Sequence, residues 1–221
     1  MKITSSNSVR VSSSSLGAVV AACIGWLSTA FAMDLRVAVK DQNGQPVENA
    51  VVWVAPSARH SNPVGREIVQ KNRQFIPEVT IVPVNSTVTF PNRDTVQHHV
   101  YSFSPAKTFD FPLYIGESPG TVKLDKPGVV TLGCNIHDWM AAYIVVLDTD
   151  FYARTDAMGV ATIAGLPSGA ANVQVWHPRL RGSPVRVFVN IDSATTATEV
   201  GLRLRPAFRR TPPDTEGGIY P

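Results

Sequence analysis

The side chains best suited to chemistry lie in one short segment, Gly133-Cys134-Asn135-Ile136-His137-Asp138-Trp139-Met140. A thiol, an imidazole and a thioether follow one another there with the spacing Cys-x2-His-x2-Met. A short loop with this spacing can turn Cys134, His137 and Met140 toward one point, as coordination of a metal ion requires. A thiolate, an imidazole and a thioether form a soft, mixed donor set that suits copper.

A second imidazole is available upstream, in the pair His98-His99. Two imidazoles and a thiolate in one plane, with a weak axial thioether, form the ligand set of a blue-copper electron-transfer site. Zinc also binds one cysteine and two histidines, but a thioether adds little to a zinc site. Cys134 and His137 could instead form a nucleophile–base pair, yet nothing nearby indicates an oxyanion hole or an orienting carboxylate. The pattern therefore favours copper.

The first 32 residues have the pattern of a signal peptide. Basic residues at Lys2 and Arg10 precede an apolar run from Leu16 to Phe31, and small residues allow cleavage after Ala32. The residues up to Cys23 resemble a lipobox, but the apolar run continues past that cysteine, which disfavours a lipoprotein. The run is also shorter than the roughly 20 residues of a membrane-spanning helix. We therefore expect export to the periplasm, with no stable membrane insertion.

Removal of this segment changes what the composition implies. The whole chain of 221 residues has a net charge of +3, but residues 1–32 hold two basic residues and no acidic ones. The remaining 18 basic and 17 acidic residues leave +1, too small an excess to indicate nucleic-acid binding. Cys23 leaves as well, so Cys134 becomes the one cysteine of the exported chain. In an oxidising compartment such a thiol is buried, coupled to another chain or protected as a metal ligand.

The exported chain predicts an all-β fold. Short runs rich in β-branched residues alternate with Gly, Pro, Asn and Asp turns, and no convincing helical period is present. This pattern is typical of antiparallel β-sandwiches. The tail over residues 207–221, rich in proline and glycine, is expected to be disordered. The predicted strands cover Leu35–Val39, Val51–Val54, Val79–Ile81, Val88–Phe90, Val129–Leu132, Tyr143–Val146, Val160–Ile163, Asn172–Trp176, Val185–Ile191 and Val200–Leu204.

Residues 64–148 resemble a cupredoxin of the plastocyanin–amicyanin group, of the kind often labelled methylamine-utilisation proteins. The stretch from Phe75 to Asn92 is similar to the opening strands of that family, and the cysteine loop has the short spacing of amicyanin. The resemblance implies a Greek-key β-sandwich and an electron carrier rather than an enzyme. It implies one copper ion bound by His98, Cys134, His137 and Met140. It further implies that His137 lies near the surface and passes electrons to redox partner proteins.

One position departs from the family pattern. The residue after the first histidine ligand is commonly Asn in cupredoxins, where it ties the two ligand loops together, whereas this chain has His99. We assign the ligand to His98 because the segment Val100–Phe103 then keeps the family's register. His99 is the alternative ligand; as a neighbour of the site it would bond toward Asn135.

The flanks carry a second resemblance, to a smaller carboxypeptidase-regulatory-like β-sandwich. The segment Val39–Val51 looks like the opening of that fold, whereas its continuation follows only at Thr155–Gly159 and Leu166–Gly169. We therefore predict that the cupredoxin is inserted into a split sandwich formed by residues 33–57 and 149–206. Insertion at a hairpin tip is tolerated because only two neighbouring strand ends have to be accommodated.

Three functions are compatible with these patterns. A periplasmic blue-copper electron carrier with redox partner proteins is the leading hypothesis. The alternatives are a red-copper, storage or delivery protein, and a structural sandwich without metal. Cationic residues in the first connection, Arg59, His60, Arg66, Lys71 and Arg73, could steer an acidic redox partner, but a solvated loop is the favoured explanation.

Overall fold

The computed structural model describes Met1 and residues 33–55, 61–192 and 195–207. The expected signal peptide, residues 56–60 and the expected disordered tail beyond Ala207 lie outside the described residues. Within the described ranges the regular structure consists of strands and contains no helix, so the predicted all-β fold is confirmed. It follows that no described helix is long and apolar enough to cross a membrane.

Seven strands build two neighbouring sheets from the two ends of the chain. A three-stranded sheet has the order β14-β1-β17, and a four-stranded sheet has the order β13-β2-β15-β16. Strand β1 runs antiparallel to β14 and parallel to β17. The bounds are β1 Met33–Asp41, β2 Val51–Val54, β13 Tyr152–Arg154, β14 Val160–Leu166, β15 Gly169–Trp176, β16 Val185–Ile191 and β17 Thr195–Leu202.

Ten strands from the middle of the chain build the sheets that carry the candidate ligands. A five-stranded sheet has the order β6-β12-β11-β8-β9, a three-stranded sheet has the order β10-β7-β3, and β4 pairs with β5 as a hairpin. Their bounds are β3 Gly65–Glu67, β4 Val69–Lys71, β5 Gln74–Ile76, β6 Val79–Pro83, β7 Thr87–Thr89, β8 His98–Ser104, β9 Lys107–Tyr114, β10 Val122–Lys123, β11 Gly128–Gly133 and β12 Ala141–Leu147.

The alternation of buried and exposed side chains along the strands explains both cores. In β1 the side chains of Leu35, Val37 and Val39 are buried, as expected when every second residue faces one side of a sheet. They belong to a core shared with β2 and β14–β17. A second core lies within the middle strands and includes Phe90 and Ile144. Burial of these apolar side chains is the main favourable contribution to folding.

Strands β1 and β2 pair with strands that follow residue 149, and not with the middle strands. This pairing is the one that a split sandwich requires. The domain boundaries and the resemblance to a carboxypeptidase-regulatory-like fold stay predictions.

Candidate metal centre

Two segments meet at one end of the five-stranded sheet. Strand β8 begins at His98, and the loop 134–140 connects β11 to β12. Strand β11 pairs with β8 through Gly133 and Tyr101, so the beginning of the loop lies beside the beginning of β8. The fold thus brings the histidine pair of β8 next to the Cys-x2-His-x2-Met loop.

Three of the predicted ligands form one cluster. The Nδ1 atoms of His98 and His137 are 3.2 Å apart, and Cys134 Sγ lies 3.7 Å from His137 Nδ1. The ligand atoms of the three side chains all lie within 4.8 Å of one another. His98 is fully buried and Cys134 is 4% exposed, whereas His137 is partly exposed. Among the described residues this is the one group of this kind that could hold a metal ion.

Met140, the predicted axial ligand, lies at the far end of the same loop. Its backbone N–H donates to the carbonyl of His137 at 2.9 Å, which closes a turn within the loop. The side chain is 2% exposed and belongs to the same buried cluster as Cys134. The thioether is therefore buried in the core that surrounds Cys134, and its bond to a metal stays a prediction.

His99, the alternative ligand, faces away from the cluster. Successive side chains of a strand point to opposite faces, so His98 and His99 cannot both point inward. His99 Nε2 pairs with Asp110 Oδ1 at 2.6 Å, and its Nδ1 has no hydrogen-bond partner. The side chain therefore does not bond toward Asn135. His99 contributes through its backbone instead, since its N–H helps to lower the pKa of the Cys134 thiol.

Asp94 is part of the site, and the sequence patterns did not single it out. Its Oδ2 lies 2.7 Å from His98 Nε2, the ring nitrogen that faces away from the cluster. A carboxylate on this nitrogen fixes the orientation of the ring and leaves Nδ1 as the available ligand atom. The sequence feature that could have revealed Asp94 is a carboxylate four residues before His98, in a segment between two strands.

The charges of the cluster favour a cation. Burial alone would lower the pKa of His98, but the thiol of Cys134 and the carboxylate of Asp94 outweigh it and raise that pKa. Burial would likewise raise the pKa of Asp94, yet hydrogen bonds from Arg73 N–H, His98 and Asn72 N–H lower it. Two potential anions thus flank His98, and a soft cation between the imidazoles and the sulfur fits this environment.

The other two donors are shifted toward the forms that bind metal. Burial would raise the pKa of Cys134, but His98 and the backbone N–H groups of His99 and Ile136 stabilise the thiolate and lower that pKa. The pKa of His137 is lowered by burial and then by the positive charges of His98 and Arg73. Metal binding requires a thiolate and neutral imidazoles, so both shifts favour it.

The solvent-facing side of the cluster is bordered by Ile136 and Trp139. Ile136 is 49% exposed. Trp139 is partly buried against the second core, and its ring centroid lies 5.3 Å from that of His137. Its Nε1–H donates to the carbonyl of Arg73 at 3.2 Å. Trp139 therefore packs against His137 as well as against the core.

Comparison with known proteins gives similarity to solved structures only. No family model and no curated protein matches the chain. A pseudoazurin from a Sinorhizobium species is 24% identical over 39% of this chain and 76% of its own, with a TM-score of 0.31. A purple cupredoxin from Nitrosopumilus maritimus is 23% identical over 38% of this chain and 99% of its own, with a TM-score of 0.32. The reduced Cu(I) form of an amicyanin mutant is 17% identical over 43% of this chain and 98% of its own, with a TM-score of 0.34. Similarity at this level identifies neither the function nor the ligands of this chain.

Proposed function

We propose that this protein is an exported type 1 copper protein that transfers single electrons between redox partner proteins. The observation that carries the proposal is the cluster of two imidazole nitrogens and one sulfur within 4.8 Å of one another. The cluster is buried on its inner side at His98 and Cys134 and opens to solvent only at His137. A soft donor set of this kind suits copper.

Each residue of the site has a separate role in this proposal. His98, Cys134 and His137 would hold the ion, and Met140 would supply a thioether. Bound copper supplies a one-electron redox couple. Asp94 keeps the ring of His98 in place, and the backbone N–H groups of His99 and Ile136 stabilise the sulfur of Cys134. These fixed supports keep the donors in one arrangement in both oxidation states.

Electrons enter and leave at His137 in this proposal. Its ring is the part of the cluster that reaches solvent, and the neighbouring Ile136 offers an exposed apolar side chain. A redox partner that covers Ile136 would exclude water from the contact with the His137 ring. The site therefore combines a buried ion-binding interior with a small apolar surface for docking.

We further propose that residues 64–148 form the copper domain, inserted into a sandwich built from residues 33–57 and 149–206. The pairing of β1 with β14 and β17, and of β2 with β13 and β15, supports this division. The sequence pattern of residues 1–32 supports export with cleavage after Ala32.

Loading of the purified protein with Cu(II) tests the proposed function. We expect one copper ion per chain, an intense blue charge-transfer band that dithionite bleaches, and a reversible one-electron potential. Cys134→Ser should abolish the blue band, because that band arises from the bond between thiolate and copper. Stoichiometric but pale or red copper would indicate storage or delivery, and absence of stoichiometric binding would indicate a sandwich without metal. A blue Cys134→Ser variant would contradict the site itself.

A further inference from the structure

The hairpin β4–β5 ends in a two-residue turn that lies against the metal centre. Asn72 and Arg73 both have positive φ, 54° and 53°, as a type I′ turn requires. The base of the hairpin is anchored to the strand end before Asp94, since the backbone N–H of Gln70 donates to Pro91 and its carbonyl accepts from Arg93. The side chain of Gln70 is fully buried. The turn therefore projects from a fixed base.

One side of the turn supports His98 through Asp94. The backbone N–H of Asn72 donates to Asp94 Oδ1 at 2.6 Å, and the N–H of Arg73 donates to Asp94 Oδ2 at 2.9 Å. Both carboxylate oxygens are thus held by successive amides of the turn. The same Oδ2 lies 2.7 Å from His98 Nε2. The position of this ring therefore depends on the backbone of the turn.

The other side of the turn supports His137 through Trp139. The carbonyl of Arg73 accepts a hydrogen bond from Trp139 Nε1 at 3.2 Å. The indole ring packs on the ring of His137, with centroids 5.3 Å apart and planes inclined by 51°. The rings of His137 and His98 are themselves 4.9 Å apart. A closed circuit thus runs from the turn through Asp94 and His98 to His137, and through Trp139 back to the turn.

We infer that the Asn72–Arg73 turn is a positioning element that fixes the distance between the two histidine ligands. The inference rests on the proposed copper site, and it assigns the turn a role that its sequence does not predict. Every contact of the circuit made by the turn itself uses a backbone N–H or carbonyl. The turn therefore acts through its conformation, and the side chains of Asn72 and Arg73 are dispensable for this role.

A matched pair of double variants separates conformation from side chains. The variant N72G/R73G and the variant N72V/R73V both delete the two side chains, but only glycine adopts positive φ without strain, whereas a β-branched residue there is an outlier. We expect N72G/R73G to bind Cu(II) within a few-fold of the parent affinity. We expect N72V/R73V to lose about 10- to 100-fold, the range typical when an outer partner of a ligand is removed. Competition with a chelator measures both affinities.

Hydrogen exchange in the metal-free protein gives an independent readout. Asp94→Ala removes the acceptor of both turn amides but no atom that contacts Trp139 through a hydrogen bond. If the turn links the two sides, the indole N–H of Trp139 should exchange at least several-fold faster in this variant. Asp110→Ala is the control: it also removes one carboxylate that pairs with a histidine, but on the outer face at His99. It should leave the exchange rate of Trp139 unchanged.

The two readouts separate this inference from the proposed function. If the parent protein binds no copper, the proposed function fails, and the exchange rate of Trp139 still decides whether the turn couples the two sides. Equal copper affinity of the glycine and valine variants would overturn the inference. Unchanged exchange of Trp139 in Asp94→Ala would also overturn it, including where the valine variant fails to fold.

Discussion

At the scale of single residues, the neighbour of Cys134 shows how closely the site is packed. Gly133 does not have positive φ, so its backbone conformation does not require glycine. A Cβ at this position would instead lie 2.7 Å from Cζ of Tyr101 and 2.8 Å from its hydroxyl oxygen. The ring of Tyr101 thus occupies the space that a side chain at 133 would need, directly beside Cys134.

Gly133→Ala should therefore destabilise the protein. The ring of Tyr101, which also contacts the rings of His99 and Phe103, would have to shift, and overpacking at such a contact costs about 1–3 kcal/mol. Urea unfolding measures the free energy of unfolding, and the same substitution in a Tyr101→Ala background provides the control, because the obstructing ring is then absent. An equal cost in both backgrounds would show that the ring is not the cause.

The side chain of His98, and not that of His99, lies in the cluster, and two variants test which of the two is a ligand. His98→Gln should lower the affinity for Cu(II) by more than the roughly 10- to 100-fold seen for outer partners, because a ligand is lost. His99→Gln keeps the backbone N–H that helps to lower the pKa of Cys134 and removes a side chain that pairs with Asp110. It should keep one copper ion per chain and the blue band. Loss of the band in His99→Gln alone would reverse the assignment.

Much of this site could be predicted from residue types and spacing. The loop spacing indicated Cys134, His137 and Met140, because a short loop keeps these side chains within reach of one point. Asp94 and the Asn72–Arg73 turn were not foreseen. The spacing of Asp94 from His98 was a signal, but its role also depends on a hairpin that folds back over its loop, and no residue type or spacing predicts that contact.

At the scale of elements, a buried polar group ties β4 to the five-stranded sheet. Gln70 on β4 donates through Nε2 to the carbonyl of Phe90 at 2.9 Å. The hydroxyl of Tyr114, at the end of β9, donates to the same carbonyl and accepts from Gln70. Burial raises the pKa of Tyr114 to about 12, so the hydroxyl keeps the proton that it donates.

Tyr114→Phe should lower the free energy of unfolding by about 1–2 kcal/mol. The variant removes one hydroxyl, while Gln70 still bonds to the carbonyl of Phe90, so the loss is that of buried hydrogen bonds. Thermal or urea unfolding measures the change. Tyr152→Phe is the matched control, since the Tyr152 side chain is 44% exposed, and its stability should equal that of the parent. Equal stabilities of the two variants would contradict this role of Tyr114.

The strands themselves were predicted with uneven success. Long runs with many β-branched residues, such as Val185–Ile191, were found because burial repeats every second residue over several positions. The three-residue strands β3, β4 and β5 were missed, since so short a segment shows no period. Strand β9 was missed too: it contains Pro112 and pairs with β8 along its length. Prediction of β9 as a strand requires knowledge of its partner strand β8.

At the scale of the whole molecule, the two groups of sheets share a packed contact. Val145 and Leu147 of β12 belong to the same core as Leu35 of β1. The ring of Tyr143 on β12 meets that of Trp176 on β15, with centroids 5.1 Å apart, and Arg154 Nη2 donates to the carbonyl of Val79 at 2.9 Å. Strand β12, which follows the loop 134–140, is thus buried against the sheets that contain β1 and β15. Sequence patterns predicted each group of strands separately, but not the faces that pack together.

A cleft of about 980 Å³ is lined by Val79 and Arg154 and reaches Trp139 of the loop 134–140. His177 lines it, directly after β15. Its Nδ1 accepts a hydrogen bond from the backbone N–H of Arg179 at 3.1 Å. Burial, and then the positive charge of Arg179, lowers the pKa of His177 to about 4. The histidine is therefore neutral in the folded protein near neutral pH.

This depressed pKa makes the whole molecule sensitive to mild acid. In the unfolded chain His177 has a pKa of 6.5, so between about pH 6.5 and 4 the unfolded state binds more protons than the folded state. The contribution of His177 to stability is complete above pH 6.5 and is lost as the pH falls toward 4, at most about 3 kcal/mol. His177→Asn keeps an acceptor for Arg179 N–H and does not titrate. Unfolding free energies measured from pH 7 to 4 should therefore fall less steeply for His177→Asn than for the parent, and parallel curves would show that the histidine is not the group responsible.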